Sequence, residues 1–193
     1  MLEKYAFLAL IGIQYGLDTY WLSLRKNRVL ISSSEKFVDK KFVGIVVFVV
    51  TINILTYLLW WRSVKWGTMG DPMGLLLFGS LIFIVGYTLR YISIRQLGDW
   101  FVPQVAIEIN QPLVERGLYR FVRHPSYTGM ILAYIGIGIA SNSYPFLVLL
   151  VLSTSAVLYL RTIREERFLT RTVPGYRNYR NRTGRFLPKF TKW

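Results

Sequence analysis

The chain has 193 residues, of which 53% are hydrophobic, and sets 24 lysines and arginines against 10 aspartates and glutamates for a formal net charge of +14. Long charge-poor apolar runs with cations gathered between and after them are not the profile of a soluble globule; they place the chain among integral membrane proteins, with the basic residues serving topology and lipid contact, not nucleic-acid binding. Zero cysteines exclude disulfides, zinc–thiolate sites and thiol nucleophiles, and a lone histidine lacks companions for a His-based centre, so no metal site is expected.

Met1-Leu2-Glu3-Lys4 leads into an apolar run without a small-residue cleavage site, which reads as a retained first span, Tyr5 to Leu24, of about the 20 residues a hydrocarbon core requires. Gln14 and Asp18 lie one turn apart on one face, and Gly12-x-x-x-Gly16 on a neighbouring face suits close helix approach. Asp18, near the end of the span, fits either a helix-lined cavity or interfacial water. A polar loop from Arg25 to Lys41 follows, and Phe42 to Trp61 is the second span, closed by the aromatic pair Trp60-Trp61. A short turn through Gly70, Asp71 and Pro72 returns the chain into a third span, Met73 to about Ile94, whose Gly74, Gly79 and Gly86 point to close packing. From Arg95 to Tyr127 the hydrophobicity falls, yet large apolar residues persist, as expected of an ordered loop. Val102-x-x-Val105-x-Ile107-x-Ile109 partly alternates, which suits a short extended segment on the membrane surface.

Tyr127 to Ala140 and Pro145 to Leu160 are short apolar runs joined by Ser141-Asn142-Ser143-Tyr144, and they read as a helical hairpin. The basic segments 25 to 41, 95 to 126 and the tail from Arg161 fall on one side if there are five crossings. The positive-inside bias then puts the amino terminus outside and the carboxyl terminus in the cytoplasm. The same count gathers Arg123, His124, Glu165 and Glu166 at one membrane face. His124 sits between Arg123 and Pro125, and proline restricts the residue before it, so the chain makes a shaped turn there before entering a helix. Antiparallel arms bring Glu165-Glu166 beside that turn. Taken alone, Arg161, Arg164 and Arg167 would neutralise the glutamates along a surface helix.

The ordered set is more specific than any one part. Leu113-Val114-x-x-Gly117-Leu118-Tyr119, Arg123-His124-Pro125-Ser126-Tyr127-Thr128-Gly129, Glu165-Glu166-x-x-Leu169, Tyr176-x-x-Tyr179 and Thr183-Gly184-Arg185-Phe186-Leu187-Pro188 together resemble the isoprenylcysteine carboxyl methyltransferase family. More broadly they resemble the membrane methyltransferases that include phosphatidylethanolamine N-methyltransferase. The resemblance covers roughly the carboxyl-terminal half; the first three spans match only in being hydrophobic. It implies an all-α integral membrane enzyme of one domain, residues 1–193, with three transmembrane helices in 1–94 and a cofactor-binding loop, helical hairpin and basic tail in 95–193. Five transmembrane helices are implied, the last two as the hairpin, with the cytosolic loop and tail over the cofactor site.

The resemblance further implies S-adenosylmethionine as cofactor, with Leu113, Val114, Gly117, Tyr119, His124, Pro125, Tyr127, Gly129, Glu165 and Glu166 lining its pocket. Arg123 and Arg182 match arginines placed near a substrate carboxylate. Pro174-Gly175 departs from the family pattern, where an acidic residue commonly precedes the position of Tyr176. The expected reaction is methyl transfer to a lipophilic small molecule, lipid or prenylated substrate that enters from the bilayer. Carboxyl O-methylation of an isoprenylcysteine-like acceptor is the nearest by motif, with phospholipid N-methylation and thiol S-methylation as alternatives. The expected setting is a multi-pass position in a bacterial or archaeal inner membrane in preference to the endoplasmic reticulum, with oligomeric state open. Two other classes fit the sequence less well. Membrane sterol reductases share a similar carboxyl-terminal architecture but use a nicotinamide cofactor and are longer, and a basic lipid-binding protein leaves the Arg-His-Pro and Glu-Glu pairing unexplained. Gly136-x-Gly138 lies in an apolar helix without a preceding strand, so packing, not dinucleotide binding, accounts for it.

Overall fold

The computed structural model describes residues 2–23, 51, 54–55, 57–58, 67–101 and 112–189. The loop 25–41, most of the expected second span and the alternating segment 102–109 lie outside the described residues, as does the side chain of Asp18. Among the described residues the protein is helical and contains no strand. Five helices are defined: α1 Leu2–Ser23, α2 Pro72–Leu97, α3 Pro125–Ala140, α4 Tyr144–Thr172 and α5 Tyr176–Arg182. Two of them, α2 and α4, are long and apolar enough to cross a membrane.

Local chemistry sets their bounds. Asp71 caps α2 by accepting a hydrogen bond from the Gly74 amide at 2.6 Å, and Pro72 fills the first turn, where a missing N–H costs nothing. Gly98, at a φ of 61°, ends the helix in a conformation that other residues resist. The third span begins and ends within a few residues of its expected bounds. α4 runs past its apolar stretch to Thr172, so Glu165 and Glu166 lie on the same continuous helix.

No residue of α3 is exposed. It runs antiparallel to α2, with Gly79 facing Gly136 and Gly86 facing Gly129. A Cβ on Gly86 would meet the Ala133 amide nitrogen at 2.4 Å, and one on Gly136 would meet the Gly79 carbonyl oxygen at 2.5 Å. Backbones that close leave no room for a side chain. Gly138 approaches α4 in the same way, its absent Cβ standing 2.4 Å from Leu147 Cδ1. Around this contact Phe7, Leu76, Phe83, Tyr87, Ile137 and Phe146 form the core, with Phe7 edge-on to Phe146 at 6.0 Å. Beside it a cavity of about 150 Å³ is lined by residues including Leu8, Gln14, Tyr57, Tyr134 and Ile137. The outward faces of α2 and α4 carry Leu77, Leu81, Ile84, Val148 and Leu152, all exposed and apolar, as a helix facing hydrocarbon requires.

α3 and α4 are joined by a tight turn in which Asn142 takes a positive φ of 52°. Its amide side chain holds the segment before α2, accepting from Met69 N at 2.8 Å and donating to Gly70 O at 3.1 Å. This ties the end of the bundle remote from His124 and leaves the other end to the functional residues.

Candidate functional site

At that other end α2 finishes, α3 begins and α4 emerges from its apolar stretch. Gly117 has a φ of 59°, and a Cβ there would strike the Gln96 side chain at 2.5 Å. Gln96 in turn accepts from the Leu118 amide at 2.8 Å and so fastens the loop to the end of α2. The loop then makes a short 3-10 turn over Gly117–Arg120. Past it the chain meets the tail: Val122 pairs with Gly184, the Arg123 amide donates to Gly184 O at 2.8 Å, and the His124 amide donates to Arg185 O at 3.1 Å. Thr128 Oγ1 adds a bond to Phe186 O at 2.8 Å. Residues 183–186 thus lie as a strap across the histidine turn.

Glu166 is the centre of this knot. Its side chain, 3% exposed, accepts from Arg123 Nε at 2.9 Å and from Arg185 Nη2 at 2.7 Å. His124 Nε2 lies 3.3 Å from the same carboxylate but is not aligned for a hydrogen bond, and it is buried without another partner. Arg123 continues inward, its Nη1 donating to the carbonyls of Arg180 and Thr183. Bonding to Glu166 holds the Arg185 guanidinium above its ordinary pKa, against the pull of burial.

Glu165 has a different environment. Its side chain is 28% exposed; Oε2 accepts from Tyr127 Oη at 2.9 Å, and Oε1 stands 4.0 Å from His124 Nδ1. Tyr127 stacks on His124 with ring centroids 5.4 Å apart and planes 7° from parallel, and the Arg161 guanidinium lies over the Tyr127 ring at 5.5 Å. A half-open carboxylate therefore stands among an imidazole, a phenol and a guanidinium.

An aromatic cluster closes the side nearer the tail. Val173, Tyr176 and Tyr179 pack against Leu113 and Leu169. Tyr179 donates to Tyr119 O at 2.6 Å, while the buried Tyr176 hydroxyl has no hydrogen-bond partner. Burial first, and the nearby Glu165 second, push the Tyr119 phenol above its ordinary pKa; burial does the same for Tyr176 and Tyr179, so all three stay protonated. Gly175 adopts a left-handed φ of 80° between α4 and α5, which explains why the departure at Pro174-Gly175 makes a turn that an acidic residue would resist.

Residues 75–174, which carry the loop, the histidine turn and both glutamates, fit the phospholipid methyltransferase model. The chain belongs to the phospholipid methyltransferase family. Two relatives are metal-resistance proteins by name. The chain is 31% identical over 160 residues to the cobalt-zinc-cadmium resistance protein CzcN of Cupriavidus metallidurans, covering 81% of this chain and 68% of that protein. It is 28% identical over 174 residues to the nickel-cobalt-cadmium resistance protein NccN of Alcaligenes xylosoxydans xylosoxydans, covering 88% and 75%. A shorter stretch of 61 residues is 38% identical to protein-S-isoprenylcysteine O-methyltransferase A of Arabidopsis thaliana, 31% of each chain.

Within this membrane methyltransferase the structure brings together Leu113, Val114, Gly117, Tyr119, His124, Pro125, Tyr127, Glu165 and Glu166 at one end of the bundle. Gly129 stands a turn below, at the α2–α3 crossing, where a Cβ would meet Gly86 O at 2.5 Å. Arg123, expected at the substrate, is buried in the knot around Glu166. Arg182 lies at the rim of α5 in an exposed ion pair with Glu115. Sequence reasoning gave no role to Gln96 or Arg185. Gln96 carried no signal, because its partner is a glycine turn whose Leu118 amide lies 22 residues on. Arg185 stood inside a quoted motif, but a single bridge between residues 122 and 184 has no periodicity to read.

Proposed function

We propose that the protein transfers a methyl group from S-adenosylmethionine to the carboxylate of an isoprenylcysteine-like lipid at the cytoplasmic face of a bacterial or archaeal inner membrane. One observation carries this reading: the loop 113–120, the His124 turn and Glu165 converge with polar atoms left over. Tyr176 Oη is buried without a hydrogen-bond partner, His124 Nε2 meets only the Glu166 carboxylate, at 3.3 Å and out of line, and the Glu165 side chain is partly exposed. Buried polar atoms normally find partners, so these fit a ligand rich in hydroxyl and amino groups. Leu113, Val114 and Tyr119 offer the apolar and aromatic surface for a nucleoside.

S-adenosylmethionine supplies its methyl from a sulfonium and departs as a neutral thioether. The chain therefore has only to align the reactants and exclude water. Glu165 suits an ammonium or ribose hydroxyl, and Pro125 shapes the turn beneath. Arg123 acts as a positioning residue, since its Nε and Nη1 hold Glu166 and the strap. Arg161, lying over Tyr127 where α4 leaves its apolar stretch, is placed to hold an anionic acceptor that arrives along the helices, and Arg182 meets it from the rim. A carboxylate acceptor arrives ionised and needs no base. The expected arrangement is five transmembrane helices, with α3 and α4 as their last hairpin.

The family's description favours a second acceptor, the amine of a phospholipid. That acceptor must lose a proton, and His124 or Glu165 is then the base. Resistance to metals is named for two relatives, but a chain with one histidine and no cysteine offers little to soft metal ions, so methyl transfer is the reading kept.

Calorimetry on the purified protein in detergent tests the cofactor. S-adenosylhomocysteine should bind, and His124→Ala and Glu165→Ala should each weaken it by about tenfold or more, the loss of one charge-assisted hydrogen bond. Binding of NADPH in its place overturns the reading in favour of a reductase. Labelled-methyl transfer on membranes then separates carboxyl ester from methylated amine.

A further inference from the structure

Both tyrosines of α5 are 3% exposed, but they differ in what their hydroxyls meet. Tyr179 uses its hydroxyl to hold the Tyr119 carbonyl, whereas Tyr176 Oη is buried without any partner. A buried, unsatisfied hydroxyl is destabilising, and phenylalanine would fill the same volume without that cost. The ring itself is firmly placed. It lies edge-on to Tyr179 at 5.7 Å and 62°, packs with Leu113 and Leu169, and follows the left-handed turn at Gly175.

Tyr176 thus stands between Leu113, on the nucleoside side, and the end of α4 that carries the two glutamates. After burial, Glu166 and then Glu165 are what raise its pKa, so both carboxylates bear on it and the phenol is a donor. The amino-acid end of the cofactor carries an ammonium and a carboxylate. Glu165 suits the first and repels the second, which requires a neutral or cationic donor close by.

We propose that Tyr176 is a cofactor-binding residue whose hydroxyl donates to the carboxylate at the amino-acid end of the nucleoside. The inference rests on the methyltransferase reading and assigns the side of the pocket from which that end is held.

Calorimetry on the full chain in detergent tests it, using S-adenosylhomocysteine and 5′-methylthioadenosine, which lacks the amino-acid end. Tyr176→Phe should lose about tenfold or more in affinity for the first ligand and stay within about twofold for the second. Its unfolding midpoint without ligand should hold or rise, while Tyr179→Phe should lower the midpoint. Unchanged binding of S-adenosylhomocysteine, or an equal loss for both ligands, overturns the proposal. Wild-type protein that binds neither ligand sinks the methyltransferase reading itself, a different result. Should Tyr176→Phe not fold, the decarboxylated analogue of S-adenosylhomocysteine titrated into wild-type protein decides the matter: affinity equal to that of the parent compound overturns the assignment.

Discussion

Glu165 and Glu166 are neighbours in sequence and do opposite work. Successive side chains on a helix point about 100° apart, so a pair emerging from α4 cannot share one environment. Glu166 turns inward, where Arg123, Arg185 and His124 surround it; Glu165 turns toward Tyr127 and remains partly open. Replacing Glu166 with Gln leaves the buried Arg123 without its charge partner, a change that costs about 3–5 kcal/mol for a fully buried pair. Arg185 is a quarter exposed and will recover part of its solvation, so the lower end of that range is expected. Glu165→Gln should cost less, about 1 kcal/mol, since the carboxylate it removes is partly exposed and bonds Tyr127, while Arg161 keeps its contact with the Tyr127 ring. Thermal unfolding of the two variants in detergent checks this, and equal midpoints would show that the knot around Glu166 does not hold the tail. The adjacency was legible as a single acidic feature. Its division was not, because it depends on a strap joining residues 122 and 184, which local pattern cannot reveal.

Among the described helices α1 to α4 were readable from their apolar runs, whereas α5, with no such run, was not, and glycine spacing foretold that some would pack closely. Gly79, Gly86, Gly136 and Gly138 were legible as packing positions and do meet neighbouring helices, whereas Gly74 meets only its own Asp71 cap and Gly12-x-x-x-Gly16, which has the conventional spacing, meets nothing described. Among the described residues nothing lies within 4 Å of a Cβ built on Gly12 or Gly16, whereas Gly86 and Gly136 face the backbone of a neighbouring helix at 2.4 and 2.5 Å. The seven-residue interval from Gly79 to Gly86, matched by Gly129 to Gly136, is two helical turns on each partner, and only the pairing of α2 with α3 makes it meaningful. Gly86→Ala and Gly136→Ala should therefore destabilise by about 1–3 kcal/mol, as overpacking does. Gly12→Ala should be neutral or stabilising by about 0.5–1 kcal/mol, from the better helix propensity of alanine. Unfolding midpoints measured side by side distinguish the sets. Equal tolerance at positions 12 and 86 would remove the crossing that sets α3 against α2 and, through Pro125, aims the histidine turn.

At the scale of the whole molecule, charge and architecture point the same way. α2 ends, α3 begins and α4 ends at one end of the bundle, and there the described cations gather, from Arg95 through Arg116, Arg120 and Arg123 to Arg185 and Lys189. The described residues at the opposite end, 67–72 and 141–145, contain no lysine or arginine, although Arg62 and Lys65 stand just before them in the sequence. Short loops rich in lysine and arginine are retained in the cytoplasm, so the site end should face inward. α2, at 26 residues, extends about 39 Å and exceeds a hydrocarbon core of about 30 Å, leaving its last turns and the site at headgroup level. Facing inward, such a site would be open to the proposed cofactor from the cytoplasm, and the exposed apolar faces of α2 and α4 would offer the proposed acceptor a lateral route. The prediction is that a fluorescent protein fused after Trp193 will be bright and alkaline phosphatase at the same point inactive. Phosphatase activity there would turn the cradle of His124 and Glu165 away from the cytoplasmic pool of the nucleoside. Two arginines inserted beside Asn142 should reduce correct insertion by opposing the existing bias, and the same insertion beside Arg116 should have little effect. The contrast separates orientation set by charge from orientation set by the fold, because both insertions fall in turns outside the packed helices.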